Sequence, residues 1–428
     1  MCAIRTPQLT PPAVTQQAER SDFGVFWFGQ ALAQVAGRSS TVVLPLLAVV
    51  VLKSTPVQVG LLNAVQSVPV FAMTLVAGVW VDHTSRHRNL IVAHLCRGLC
   101  LTALALAASL GFIHLPLLCA VGFVLGALGA LADVSSQSYL PTLVPQAELL
   151  RANTRIETTT ALATVAAPGV GGLLIGVFGG PGALWPFAVG LLGAAASLQL
   201  IKVREARSPR PSRAVFRGVT DGLRVITGHG LLRLLVLQAA WFNLFEQAVI
   251  TLYLVYGIRS LHLAAGLVGL TMTLGALGTF LGSFTVRRLR SRIGVGPSLA
   301  LGIGAASVAP IMLPLAAGPK PVTVALCSIA FVVYGFGLTV FNVFSVSVRQ
   351  WIAPPELLGQ VTAAFRAVAF GTIWIGAVLG GVVGQYLGVR FGLIAASAAL
   401  VAGWLVFTVC LRRSGAARQF IDPAGVNS

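Results

Sequence analysis

Apolar runs of about twenty residues or more follow one another down this chain with only short polar joints between them. No other property restricts its fold so sharply. A run of that length crosses a bilayer as one α-helix, and backbone that meets no water in lipid must bond within its own helix. Twelve such spans are legible: Phe23–Leu52, Val57–Val81, Leu90–Phe112, Leu115–Gln137, Ala152–Phe178, Gly182–Ile201, Leu231–Gly257, Ala264–Val286, Val295–Ala317, Val322–Val346, Val361–Leu387 and Phe391–Leu411. Hydrophobic residues make up 56% and charged residues 9%, far below the quarter or so of a soluble domain, so the fold class expected is an all-α membrane protein.

The formal charge of +18 does not mark a nucleic-acid binder, because the basic residues sit between apolar spans and not on a soluble face beside stacking aromatics. Their distribution sets topology instead. One set of loops holds Arg86, Arg88, Arg151, Arg155, the run from Lys202 to Arg233, Arg287 to Arg292, Arg349 and Arg412; the opposite set holds only Lys53, Arg259, Lys320 and Arg390. The positive-inside bias makes the first side cytoplasmic, with both termini inside, as an even number of spans requires. No cleavable signal peptide is expected in the polar stretch from Met1 to Asp22. Cys96, Cys100, Cys119, Cys327 and Cys410 lie within spans as small hydrophobes; no metal or other cofactor is expected.

The two halves repeat. Glu148-Leu149-Leu150 returns as Glu356-Leu357-Leu358, a spacing of 208 residues that also relates Gln30 to Gln238 and Arg38 to Glu246. The expected divisions are a cytoplasmic tail over 1–22, a six-helix bundle over 23–201, a basic linker over 202–230, a second six-helix bundle over 231–412 and a tail over 413–428. Within the linker Phe216, Val219, Leu223 and Ile226 recur at helical spacing, which reads as a short amphipathic helix on the anionic inner leaflet, or as a partner-binding segment.

Between the second and third spans lies Gly78-Val79-Trp80-Val81-Asp82-His83-Thr84-Ser85-Arg86-His87-Arg88. This resembles the loop 2–3 signature of the major facilitator superfamily: Gly78, Asp82, Arg86 and Arg88 are kept, and His83 stands where the pattern has arginine. The resemblance implies two pseudo-symmetric six-helix bundles that rock about a central substrate cavity. It also implies that Gly78, Asp82, Arg86 and Arg88 form a cytoplasmic gate, with Asp82 latched near the start of the eleventh span. Asp133, near the cytoplasmic end of its span, is expected either in that gate or in proton coupling, and Arg97 and Arg366 are expected in the gate too, snorkelling to the inner face or pairing with Asp82 and Asp133. Ser54-Thr55-Pro56-Val57-Gln58-Val59-Gly60-Leu61 and Tyr139-Leu140-Pro141-Thr142-Leu143-Val144-Pro145 resemble the enterobactin-exporter and macrolide-efflux branch. Pro168, Gly171 and Gly172 partly match that superfamily's antiporter signature; ordinary glycine-rich packing explains the same spacing.

Charge within the bilayer marks the candidate site. Arg38 and Glu246 each lie about halfway along a span, where an uncompensated charge costs at least ~3 kcal/mol. They are expected to pair across the cavity, either as a proton-coupled switch or as an inert strut. Gln30, Gln34, Asn63, Gln66, Gln238, Asn243, Gln247 and Asn342 supply further polar groups to that cavity. There is no G-x-x-x-x-G-K-[ST] loop for a nucleotide, no G-x-S-x-G elbow and no H-E-x-x-H, so an enzyme is not expected. The reading is a monomeric secondary transporter of the bacterial inner membrane that exports a small, partly apolar molecule against protons. An importer of a small anion and a non-transporting receptor or assembly factor are the alternatives.

Overall fold

The computed structural model describes residues 13–201 and 215–413. They form α-helices α1 (Ala13–Val50), α2 (Pro56–His83), α3 (Arg86–Ser109), α4 (Leu115–Tyr139), α5 (Leu149–Gly182), α6 (Leu184–Gln199), α7 (Val215–Gly228), α8 (Gly230–Arg259), α9 (Ala265–Ile293), α10 (Val295–Val308), α11 (Met312–Leu315), α12 (Lys320–Ile352), α13 (Leu358–Gly371), α14 (Ile373–Tyr386) and α15 (Val389–Arg413). There is no strand among the described residues.

Eleven helical segments among the described residues are long and apolar enough to cross a bilayer. The twelfth crossing is α6, apolar but only 16 residues long, packed against α1 and α3. Two expected spans are built from more than one helix. The ninth runs through α10, a 3-10 turn at Ala309–Ile311 and α11. The eleventh breaks at Thr372 into α13 and α14, and the Thr372 hydroxyl donates to the carbonyls of Ala240 and Ala369 at 2.9 and 3.2 Å. A hydroxyl that satisfies freed carbonyls makes such a break tolerable at membrane depth.

Local chemistry sets the helix starts. α2 opens with a capping box: the Thr55 hydroxyl accepts from the Gln58 N–H and the Gln58 side chain accepts from the Thr55 N–H, with Pro56 at the first helical position. α3 opens at Ser85, whose hydroxyl accepts from the Arg88 N–H. His87 reaches the Leu198 carbonyl at 2.8 Å and stacks on Tyr139, tying this turn to the ends of α6 and α4.

Helices α1–α6 pack into one bundle and α8–α15 into another. The amphipathic helix expected in the linker is α7, and its packing is against protein: Ile226 is buried and Gly222 rests on the Gln360 backbone of α13. Linker residues 202–214 lie outside the described residues. The bundles meet along α2 with α14 and α5 with α9. At Gly60, against Ala377 and Gly381, and at Gly172, against Ala265, an added Cβ would overlap the facing backbone, so only glycine allows the approach. Three hydrogen bonds join the bundles in the same arginine-poor half: Asn63 to Thr251 (3.0 Å), the Gly169 N–H to Thr273 (2.8 Å) and Arg259 to the Ser54 carbonyl (2.6 Å). Towards the arginine-rich end the bundles touch in few places, chiefly where α2 meets α13 and α7.

Candidate functional site

Arg38 of α1 and Asp133 of α4 form an ion pair at 3.5 Å in the first bundle. Gln34, one turn before Arg38, closes the cluster: its amide donates to Asp133 at 3.1 Å and its carbonyl accepts from the Arg38 Nε at 3.2 Å. The side chains of Arg38 and Asp133 are 41% and 43% exposed. Charges this exposed halfway through a span are too costly to set against lipid, so they mark a water-filled cleft between the bundles.

Behind the pair lies Arg97 of α3. It is only 7% exposed and has no hydrogen-bond partner among the described residues. Its guanidinium occupies the seam between α1 and α4. A Cβ at Gly37 would overlap it, and one at Gly129 would touch it at 3.6 Å. One turn earlier His94 is 2% exposed, with neither ring nitrogen hydrogen-bonded among the described residues. The first bundle thus holds two arginines against one aspartate at mid-depth.

In the second bundle Glu246 accepts a short hydrogen bond from the Tyr334 hydroxyl of α12. Its carboxylate adjoins a small cavity lined by Val249, Pro310, Phe331 and Leu400, so it points among α8, α12, α15 and the 3-10 turn. Tyr334 was not visible as a partner in sequence, since a lone tyrosine in an apolar span carries no pattern.

Three expectations are corrected here. Arg38 does not pair with Glu246, since each takes a partner within its own bundle. The 208-residue repeat identifies equivalent positions on opposite walls; it does not bring them into contact. Asp133, expected with the cytoplasmic gate, joins Arg38 instead. Helical side chains lean towards the N-terminus of their own helix, and α1 and α4 run in opposite directions, so the two groups converge in depth. Arg97 neither snorkels to the surface nor hydrogen-bonds to an acid among the described residues.

The remaining candidates divide by location. Asn63 bridges the bundles, whereas Asn243 donates to the Ala369 carbonyl at 2.8 Å within the second bundle. Gln30, Gln66 and Gln238 are buried, Gln247 is half-buried and Asn342 is exposed. Arg86 donates to the Ser138 carbonyl at 3.2 Å, Arg88 and Arg366 are exposed, and the side chains at Gly78 and Asp82 lie outside the described residues. Pro168, Gly171 and Gly172 sit where α5 meets its neighbours: the Pro168 carbonyl faces Gly269 and Gly172 faces Ala265 on α9, while Gly171 faces Val43 on α1.

A family model described as transmembrane secretion effector matches residues 18–423. The chain belongs to that family, within the major facilitator superfamily. It is 26% identical over 347 residues to the multidrug efflux pump Tap of Mycolicibacterium fortuitum, covering 77% of this chain and 81% of that protein. The Tap protein of Mycobacterium tuberculosis (strain ATCC 25618 / H37Rv) is 26% identical over 365 residues, or 82% of this chain and 84% of that one. Among solved structures, a bacterial homologue of the iron transporter ferroportin in its inward-facing state superposes with a TM-score of 0.73 at 16% identity, over 92% of this chain and 99% of that one. The nucleoside transporter NupG gives 0.72 at 14% identity, over 91% and 99%. This family member is therefore a multi-pass membrane transporter and not an enzyme.

Proposed function

We propose that this transporter exports a small, partly apolar molecule, of the drug or siderophore kind, in exchange for protons by alternating access. The observation that carries the reading is Glu246, a carboxylate with one hydrogen-bond donor and no cation beside it among the described residues, set against an apolar cavity. An ionised carboxylate is costly there and a protonated one is not, so the two protonation states favour different packings of the second bundle. The relatives named as multidrug efflux pumps support the outward direction. In this reading the transporter is a monomer of the bacterial cytoplasmic membrane with its arginine-rich end and both chain termini in the cytoplasm, and the glycine-mediated contacts at the arginine-poor end support an inward-facing state. The stretch from Gly78 to Arg88 then acts as the latch of the opposite, outward-facing state.

Reconstitution tests this. Purified transporter in sealed proteoliposomes, with an imposed proton gradient, should move a fluorescent apolar drug against the proton flow and stop when an ionophore collapses the gradient. Drug flux indifferent to the gradient would remove the proton from the mechanism.

A further inference from the structure

The cluster in the first bundle has a charge vacancy. Asp133 is the acid that faces Arg38 and it also attracts Arg97, while Gln34 occupies its other oxygen. Arg38 opens onto the cleft, whereas Arg97 is sealed behind it with Gly37 and Gly129 making room for its head group. Two guanidinium groups at membrane depth call for two anions, and the described residues around them supply one.

We propose that the Arg38–Asp133–Arg97 cluster is an anion-binding subsite of the cleft, and that the transported molecule carries an acidic group on its apolar body. The substrate's carboxylate, sulfonate or phosphate takes Arg38, whose planar fork suits such groups. Asp133, released from Arg38, turns to Arg97, whose head group lies against Gly37 and Gly129. Loading then completes two ion pairs where the empty site has one. The empty transporter accordingly has an acid of its own standing in for the substrate, and an uncharged competitor cannot displace it. This rests on the export reading for the substrate's path, but concerns only its charge.

The probe is a set of matched ligands on one ring: naphthoate, its neutral amide and the corresponding naphthylmethylammonium. Binding to the purified full-length protein in a nonionic detergent would be read by quenching of its tryptophan fluorescence. Naphthoate should bind about tenfold more tightly than the amide, the difference one charge-assisted hydrogen bond supplies, and the ammonium more weakly than either. Asp133→Asn removes the internal competitor and should tighten naphthoate while leaving the amide unchanged. Arg38→Gln should erase the preference. Arg97→Lys, which keeps the cation, should retain it even if Arg97→Gln fails to fold. Equal binding of the three ligands, or a preference for the ammonium, overturns the anion subsite, as does an Asp133→Asn protein whose naphthoate affinity does not rise. Proton-driven export of a neutral or cationic drug would persist in that event, so the two proposals fail separately.

Discussion

At the scale of single residues, two carboxylates within the spans have different surroundings. Asp133 faces water and an arginine; Glu246 has a tyrosine hydroxyl and apolar walls. Tyr334→Phe leaves Glu246 with no hydrogen-bond donor among the described residues, which should cost about 1–3 kcal/mol of stability and lower the thermal midpoint of the purified protein. Adding Glu246→Gln to that variant removes the buried charge and should recover much of the midpoint without recovering proton-driven transport. Recovery of both would reduce Glu246 to a packing residue. The placement of Arg38, Glu246 and Asp133 within the spans was legible in the sequence, because an ionisable residue inside an apolar run stands out by its cost alone. Their partners were not. Which side of a helix meets which neighbour depends on rotation about the helix axis, and Tyr334 and Gly37 show nothing of that in a one-dimensional pattern.

At the scale of elements, the glycines of α5 and α9 set how closely the bundles approach. Gly172 faces Ala265 and Gly269 faces the Pro168 carbonyl with no space for a Cβ. Gly172→Leu should therefore cost the closed arginine-poor end about 1–3 kcal/mol, and each 1.4 kcal/mol shifts the two-state population about tenfold towards the opposite state. A cysteine pair replacing Ser54 and Arg259, which hydrogen-bond across that end, reports the shift. Cross-linking by a short bismaleimide, which spans the length of the arginine it replaces, should be efficient in the parent and fall in the Gly172→Leu background; unchanged cross-linking would mean that α5 and α9 do not control closure. Helix starts were readable where a cap supplied them, as in Ser54-Thr55-Pro56-Val57-Gln58, whose family resemblance has a physical cause in the capping box. The break at Thr372 was hidden, because α13 and α14 are both apolar and a threonine inside a long span is not by itself a helix breaker. α9 also runs on through Arg287 to Ile293, beyond the apolar stretch that announced it, and Arg290 lies over the Trp351 ring at 5.4 Å.

At the scale of the whole molecule, the twelve-span, two-bundle plan was the most legible feature, since span length and backbone satisfaction leave a bilayer protein few other forms. The orientation we propose follows from the arginine asymmetry and predicts that a cysteine at Arg290 is labelled by an impermeant maleimide only in opened cells, and one at Lys320 also in intact cells. The reverse pattern would invert the molecule and with it the direction of transport. The central claim is that drug and proton exclude one another on a single transporter, through Glu246. Proton release on drug binding tests it most directly, measured with a pH dye in lightly buffered, purified protein without any membrane gradient. The account predicts a stoichiometric proton released as the drug binds and none from Glu246→Gln, even though that variant still binds the drug. Drug binding to the parent with no proton released, or the same release from Glu246→Gln, would contradict it.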